Sequence, residues 1–244
     1  MTPEQRRAEL AESLAEVRER LAEACRAAGR SPEEVELLAV TKTFPASDVA
    51  LLSDLGLSAF AENREQEARG KVAEFAELRP QASPRWHMVG QLQRNKARAV
   101  ARWADVVESV DSERLAEALA RATANALESG DRERPLDVLV QVSLDGSTGR
   151  GGCRPEDVPR LAEMIAGTSE LRLRGVMAVA PLGGDAAVAF NTLSLISERL
   201  RVDHPEAVDV SAGMSGDLES AVAHGSTRVR VGTALLGGRR LTSP

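Results

Sequence analysis

Lys42 closes an apolar run, Val35-Glu36-Leu37-Leu38-Ala39-Val40-Thr41, and is followed by Thr43-Phe44-Pro45. An amine between apolar walls is poorly hydrated. Desolvation disfavours its charged form and frees the lone pair for attack on a carbonyl, which Schiff-base chemistry requires. A lysine here can equally pack its stem and send its ammonium to water, and position alone does not separate the two. Two later stretches carry a different chemistry. Ser211-Ala212-Gly213-Met214-Ser215-Gly216-Asp217 and Val229-Arg230-Val231-Gly232-Thr233-Ala234 combine glycines with small hydroxyl residues. Such loops let backbone N–H groups come close to an anion, so the pair favours a phosphate over plain helix capping at Ser215 and a tight turn at Gly232. Arg228 and Arg230 share strand parity and point the same way. A bulge or curved strand end would leave Arg230 beside these loops; an outer ion pair with a helix is the alternative. Asn63 reads first as a helix cap. His87, in Trp86-His87-Met88-Val89-Gly90, reads as a satisfied buried histidine, and His204 and His224 as surface residues. We find no metal-ligand spacing and no Ser-His-Asp pattern in the sequence.

These residues need a scaffold. Thr2, Pro3 and Gln5 make a capping box, and Leu10, Leu14, Val17, Leu21 and Cys25 form one stripe of a helix that Gly29 ends. Short Val- and Leu-rich runs follow near 35–41, 58–61, 86–90, 105–109, 136–143, 171–179, 207–211 and 227–231. They lack polar alternation and read as strands buried on both faces. Helical stretches near 46–55, 63–77, 93–102, 112–128, 155–167, 185–203 and 215–224 lie between them, with a short final helix near 233. Ser47, Asp111 and Pro155 with Glu156 are the start signals. Eight alternations predict parallel βαβ units closing into a single (β/α)8 TIM barrel, residues 1–244, with an extra N-terminal helix. A doubly wound open sheet would carry a glycine-rich loop after its first strand; Thr41-Lys42-Thr43-Phe44-Pro45 is not one. In a barrel, Lys42 and the last two loops fall at the carboxyl ends of their strands, where active sites lie and where the final pair often holds phosphate.

The chain has 244 residues and a net charge of −6. An acidic chain without a basic tail argues against nucleic acid as the main partner. No apolar run approaches membrane-spanning length, and the first residues lack a secretory h-region. With two distant cysteines, Cys25 and Cys153, this predicts reduced thiols in a cytoplasmic protein. There is no tyrosine, so no step can use one as acid or base.

Taken together, Leu38-Ala39-Val40-Thr41-Lys42-Thr43, Phe60-Ala61-Glu62-Asn63, Trp86 through Lys96, Leu173-Arg174-Gly175-Val176-Met177-Ala178, Gly213-Met214-Ser215 and Val229-Arg230-Val231-Gly232-Thr233 resemble the YggS family of pyridoxal 5′-phosphate (PLP) homeostasis proteins. The resemblance covers nearly the whole chain and implies the alanine racemase N-terminal barrel standing alone. It implies that Lys42 carries PLP as a Schiff base. It places Ser215, Gly232 and Thr233 at the phosphate, Arg230 at the pyridine nitrogen, and Asn63 and Met214 along the cofactor. Ala61 and Arg64 stand where the family usually has Gly and Tyr, so no aromatic ring adjoins Asn63 at that position. The implied role is storage or delivery of PLP, with apo PLP-dependent enzymes as recipients, a monomeric state and little turnover. An amino-acid racemase is the alternative. A barrel enzyme forming a Schiff base with a sugar phosphate is a third reading.

Overall fold

The computed structural model describes residues 2–146 and 151–238. Helix α1 (Pro3–Ala27) opens the chain with the expected capping box: the Thr2 hydroxyl accepts from Gln5 N, and the Gln5 side chain accepts from Thr2 N. Its C-terminal cap is Ala28, and Gly29 then turns at φ 68°. Leu10, Leu14, Val17, Leu21 and Cys25 are all buried, against Val49, Leu52, Val222 and Leu235 among others. One apolar stripe thus seats the extra helix on the outside of the barrel.

Eight strands follow in order: β1 (Glu36–Val40), β2 (Ala59–Glu62), β3 (Arg85–Met88), β4 (Val106–Val110), β5 (Leu136–Gln141), β6 (Leu171–Met177), β7 (Asp209–Ser211) and β8 (Arg228–Val231). All pair in parallel, and β1 pairs with β8, which closes the barrel. Between them run α2 (Ala46–Asp54), α3 (Glu65–Leu78), α4 (Ala97–Val100), α5 (Glu113–Glu128), α6 (Val158–Ala166), α7 (Ala186–Asp203) and α8 (Leu218–Ala223); α9 (Thr233–Leu236) follows β8. The predicted alternation is what the chain adopts.

Helix starts differ from the expected ones. Pro45, not Ser47, precedes α2, and Ser112, one residue past Asp111, precedes α5. Arg64 caps α3 where Asn63 was expected. The reason lies in the loop after β3: a Cβ at Gly90 would fall 2.1 Å from the Asn63 carbonyl oxygen, so the two backbones pass in contact and α3 begins only after Asn63. Asp217, not Ser215, caps α8, and Thr233 is the first residue of α9 behind Gly232.

The strands are not uniformly apolar. Outward side chains meet the helices in two large clusters, one including Phe60, Phe75 and Trp86, whose ring centroids lie 5.6–6.3 Å apart. Inward, Leu38, Ala59 and Ala61 form one small cluster and Val106, Leu139 and Met177 another. Buried polar and charged groups share the interior with them, among them His87, Glu108, Ser211, Arg228 and Arg230. Arg228 reaches Glu36 at 2.6 Å and Asp209 at 3.3 Å, and Arg85 and Arg172 share Asp137 at 3.2 and 2.8 Å. Buried charges persist only when paired; Arg228 and Asp137 are the buried ones here, and Arg85 and Arg172 reach Asp137 from exposed positions.

Candidate functional site

Both arginines of β8 point into the barrel. The outer ion pair offered by the sequence is not formed, and β8 needs no bulge. Arg230 is 5% exposed; one terminal nitrogen donates to Ser211 Oγ at 2.8 Å and the other to the Ala178 carbonyl at 2.8 Å. Ser211 Oγ donates in turn to Glu108 at 2.5 Å, and the other oxygen of Glu108 lies 2.7 Å from His87 Nδ1. Burial alone would push the Glu108 carboxyl up. The hydrogen bond to His87 and the charges of His87, Arg228 and Arg230 outweigh it and hold the group at about 2. His87 is buried in the barrel, as the sequence suggested, but only half satisfied: Nδ1 meets Glu108, while Nε2 is buried without a hydrogen-bond partner. Glu108 was missed, although a carboxylate inside Val106-Val107-Glu108-Ser109-Val110 had to find buried partners.

Lys42 lies two residues past β1. Thr41 N continues the β1–β2 ladder to the Ala61 carbonyl at 3.0 Å, and Phe44 N closes a turn on the Thr41 carbonyl at 3.1 Å. Lys42 is half-buried and lines a cavity of about 1160 Å³ together with Phe44, Asn63, Arg64 and Lys71. Lys42 and Asn63 are therefore brought to one space, at neighbouring strand ends. Met214, Ser215, Arg230, Gly232 and Thr233 do not line that cavity.

They stand at the ends of the neighbouring strands β7 and β8. A Cβ at Gly232 would lie 3.2 Å from the Val40 carbonyl oxygen, so the end of β8 presses on the end of β1 two residues before Lys42. Arg230 N donates to the Gly213 carbonyl at 2.9 Å, which ties the β7 loop to β8. Gly213 itself has φ 90°, and a Cβ there would strike Ala221 at 2.5 Å; only glycine suits it. Asp217 accepts from Met214 N at 2.6 Å, and Arg20 of α1 donates to the Ser215 carbonyl at 2.7 Å while gripping Glu219. Met214 and Thr233 are exposed, Ser215 and Gly232 half-buried. The arrangement is one amine, one buried guanidinium and two backbone-rich loops at a single end of the barrel. That donor set suits an aromatic aldehyde carrying a phosphate. Among the described residues no cluster of His, Cys, Asp and Glu could hold a metal ion. Cys25 and Cys153 are buried free thiols, Cys153 pushed up to about 12 by burial.

Comparison with known proteins identifies the family and the fold. Residues 13–240 match the family described as alanine racemase, N-terminal domain. A pyridoxal phosphate homeostasis protein of Mycobacterium leprae is 51% identical over 247 residues, covering 98% of this chain and 96% of its own. The structure of PipY from Synechococcus elongatus, with PLP bound, superposes with a TM-score of 0.79 at 34% identity, covering 93% of this chain and 100% of PipY. The alanine racemase of Corynebacterium glutamicum shares the fold alone, at a TM-score of 0.67 and 12% identity. The match covers 94% of this chain but only 60% of the racemase. On sequence and structure together, the chain belongs to the alanine racemase N-terminal domain family, among the pyridoxal phosphate homeostasis proteins.

Proposed function

We propose that this protein binds PLP, with Lys42 carrying it as a Schiff base, and that it stores or delivers the cofactor with little turnover of its own. The observation that supports this most directly is the packing of Gly232 on Val40, which sets two glycine-bearing loops against the strand that presents Lys42. The PLP-bound PipY structure, at 34% identity, supports the choice of cofactor. Ser215, Gly232 and Thr233 would hold the phosphate, Arg230 would face the pyridine nitrogen, and Asn63 and Met214 would flank the ring. When bound, PLP supplies an electron sink whose depth the protein sets.

The residues argue for a shallow sink. A guanidinium has no acceptor, so Arg230 cannot accept a hydrogen bond from a protonated ring nitrogen, as a carboxylate partner would, and it leaves that nitrogen unprotonated. The chain has no tyrosine to serve as an opposite-face base. Apo PLP-dependent enzymes are the proposed recipients. We further propose a monomeric, single-domain cytoplasmic protein; among the described residues no helix is long and apolar enough to cross a membrane. The test is borohydride reduction of the PLP-loaded protein with peptide mapping. A pyridoxyl group on the Lys42 peptide, and loss of the visible Schiff-base band in Lys42→Ala, are the expected results. A label on Lys71 or Lys96 instead would refute the assignment.

A further inference from the structure

Next to Lys42 sits a buried cluster that the proposed function does not use. Lys71, from α3, places Nζ 2.6 Å from Glu62 Oε1 and 2.7 Å from the Thr41 carbonyl. The Thr41 hydroxyl donates to the same Glu62 oxygen at 2.5 Å. Glu62 and Thr41 are fully buried and Lys71 is 7% exposed. A buried ion pair is weak evidence for stability, because well-packed apolar residues do as well or better in its place. Its presence asks what it holds in position. Here it holds Thr41, the residue before Lys42.

A second observation, independent of the ion pair, comes from the turn. Thr43 has φ 68° and is the one non-glycine residue with positive φ among those described. A β-branched side chain is disfavoured in that region, and such outliers survive only where surrounding contacts over-determine them. The turn contains one acceptor able to do this: the Thr41 carbonyl takes hydrogen bonds from both Phe44 N and Lys71 Nζ.

We infer that Lys71 is a positioning residue: its ammonium, seated on Glu62, pins the Thr41 carbonyl and keeps the strained Thr41–Phe44 turn in the shape that presents the Lys42 amine. The inference rests on the reading of Lys42 as the PLP-bearing lysine. Lys71 lines the same cavity as Lys42. Because its ammonium is committed to Glu62 and Thr41, it is not a second amine for the aldehyde. Condensation at Lys42 releases one water and needs no oxidant or reductant, and the placing of the amine is one of the factors that set how readily it occurs.

The test compares two ligands on the full apo chain. PLP reports the covalent link, followed by borohydride trapping and intact mass. Pyridoxine 5′-phosphate, an alcohol at the aldehyde position, reports the loops without any link. In Lys71→Met, trapping at Lys42 should slow roughly tenfold or more, the scale of one charge-assisted hydrogen bond. Affinity for pyridoxine 5′-phosphate should stay within a factor of about two, as for an independent site. Lys71→Arg, which can still donate to Thr41 and Glu62, should recover most of the trapping rate. Thr43→Gly should raise the melting temperature of the apo chain yet slow trapping, whereas a purely structural role would move both the same way. Should Lys71→Met fail to fold, Thr43→Gly decides: trapping at the wild-type rate in that variant overturns the inference. Trapping at the wild-type rate, or parallel loss of both ligands, overturns the inference. A wild type that traps no PLP on Lys42 overturns the site reading itself, and this inference with it.

Discussion

At the scale of residues, the site separates anchoring from chemistry. Thr233 is exposed at the start of α9. Thr233→Val keeps its shape and removes a donor, so PLP affinity should fall roughly 10- to 100-fold, the worth of a hydrogen bond to a charged group. Pyridoxal, lacking the phosphate, should bind the wild type much more weakly; equal affinity for the two vitamers in a titration would remove the phosphate role from these loops. Catalysis should be poor for a separate reason. Arg230, a cation without an acceptor, is held by Ser211 and the Ala178 carbonyl, with Glu108 behind Ser211. Racemisation of alanine should therefore be negligible. Proton exchange at Cα in heavy water with chiral analysis of the product checks this. Turnover of roughly 1 s⁻¹ or more that vanishes in Lys42→Ala would make the protein an enzyme, with His87 the first residue to replace in the search for its base.

At the scale of elements, close backbone approach positions the site as much as side chains do. The end of β3 touches Asn63 through Gly90, and a methyl there would meet the Asn63 carbonyl at 2.1 Å. Backbone cannot swing aside as a flexible side chain can. Gly90→Ala should cost about 1–3 kcal/mol, as overpacking in a dense interior does, with the loss read from the denaturant midpoint. It should also weaken PLP binding, because the backbone pushed aside is that of Asn63 at the end of β2. A fully stable variant with unchanged binding would mean that the β2–β3 contact does not position the cavity wall.

For the whole molecule, the barrel axis is an ionic core. Glu108 joins His87, Ser211 and the two arginines of β8 with no exposed surface. Its carboxyl is held at about 2, below the unfolded value. A depressed carboxylate adds stability above its unfolded pKa, and that stability is lost as pH falls through the folded value. Wild-type stability should therefore drop steeply between about pH 4 and about pH 2. Glu108→Gln strands buried cations and should cost about 3–5 kcal/mol at neutral pH, with a flatter acid limb. Chemical denaturation across that range checks both, and an unchanged acid limb in the variant would assign the transition to other carboxylates.

How much of this was legible follows from the range of each interaction. Alternating apolar runs and helical stripes are local signals, so the barrel, its strands and its N-terminal helix could be read from residue spacing. The ends of strands could be read too, and with them Lys42, Asn63 and the two loops around Ser215 and Gly232-Thr233. Helix starts were legible only to within a residue or two: Gly90 against Asn63 joins segments distant in the chain, and at α8 a local bond from Met214 N to Asp217 competes with capping at Ser215. The direction of Arg228 and Arg230 was undecided in the sequence, since parity says that they agree and not which face they share. Only closure of β8 onto β1 chose the interior, by bringing Glu36 and Asp209 within reach of Arg228 and Ser211 within reach of Arg230. Glu108 and the Thr41–Glu62–Lys71 cluster belong to the same class. Each joins residues from separate strands and helices, and a buried charge acquires its meaning from partners that are distant in the chain and adjacent only once the barrel has formed.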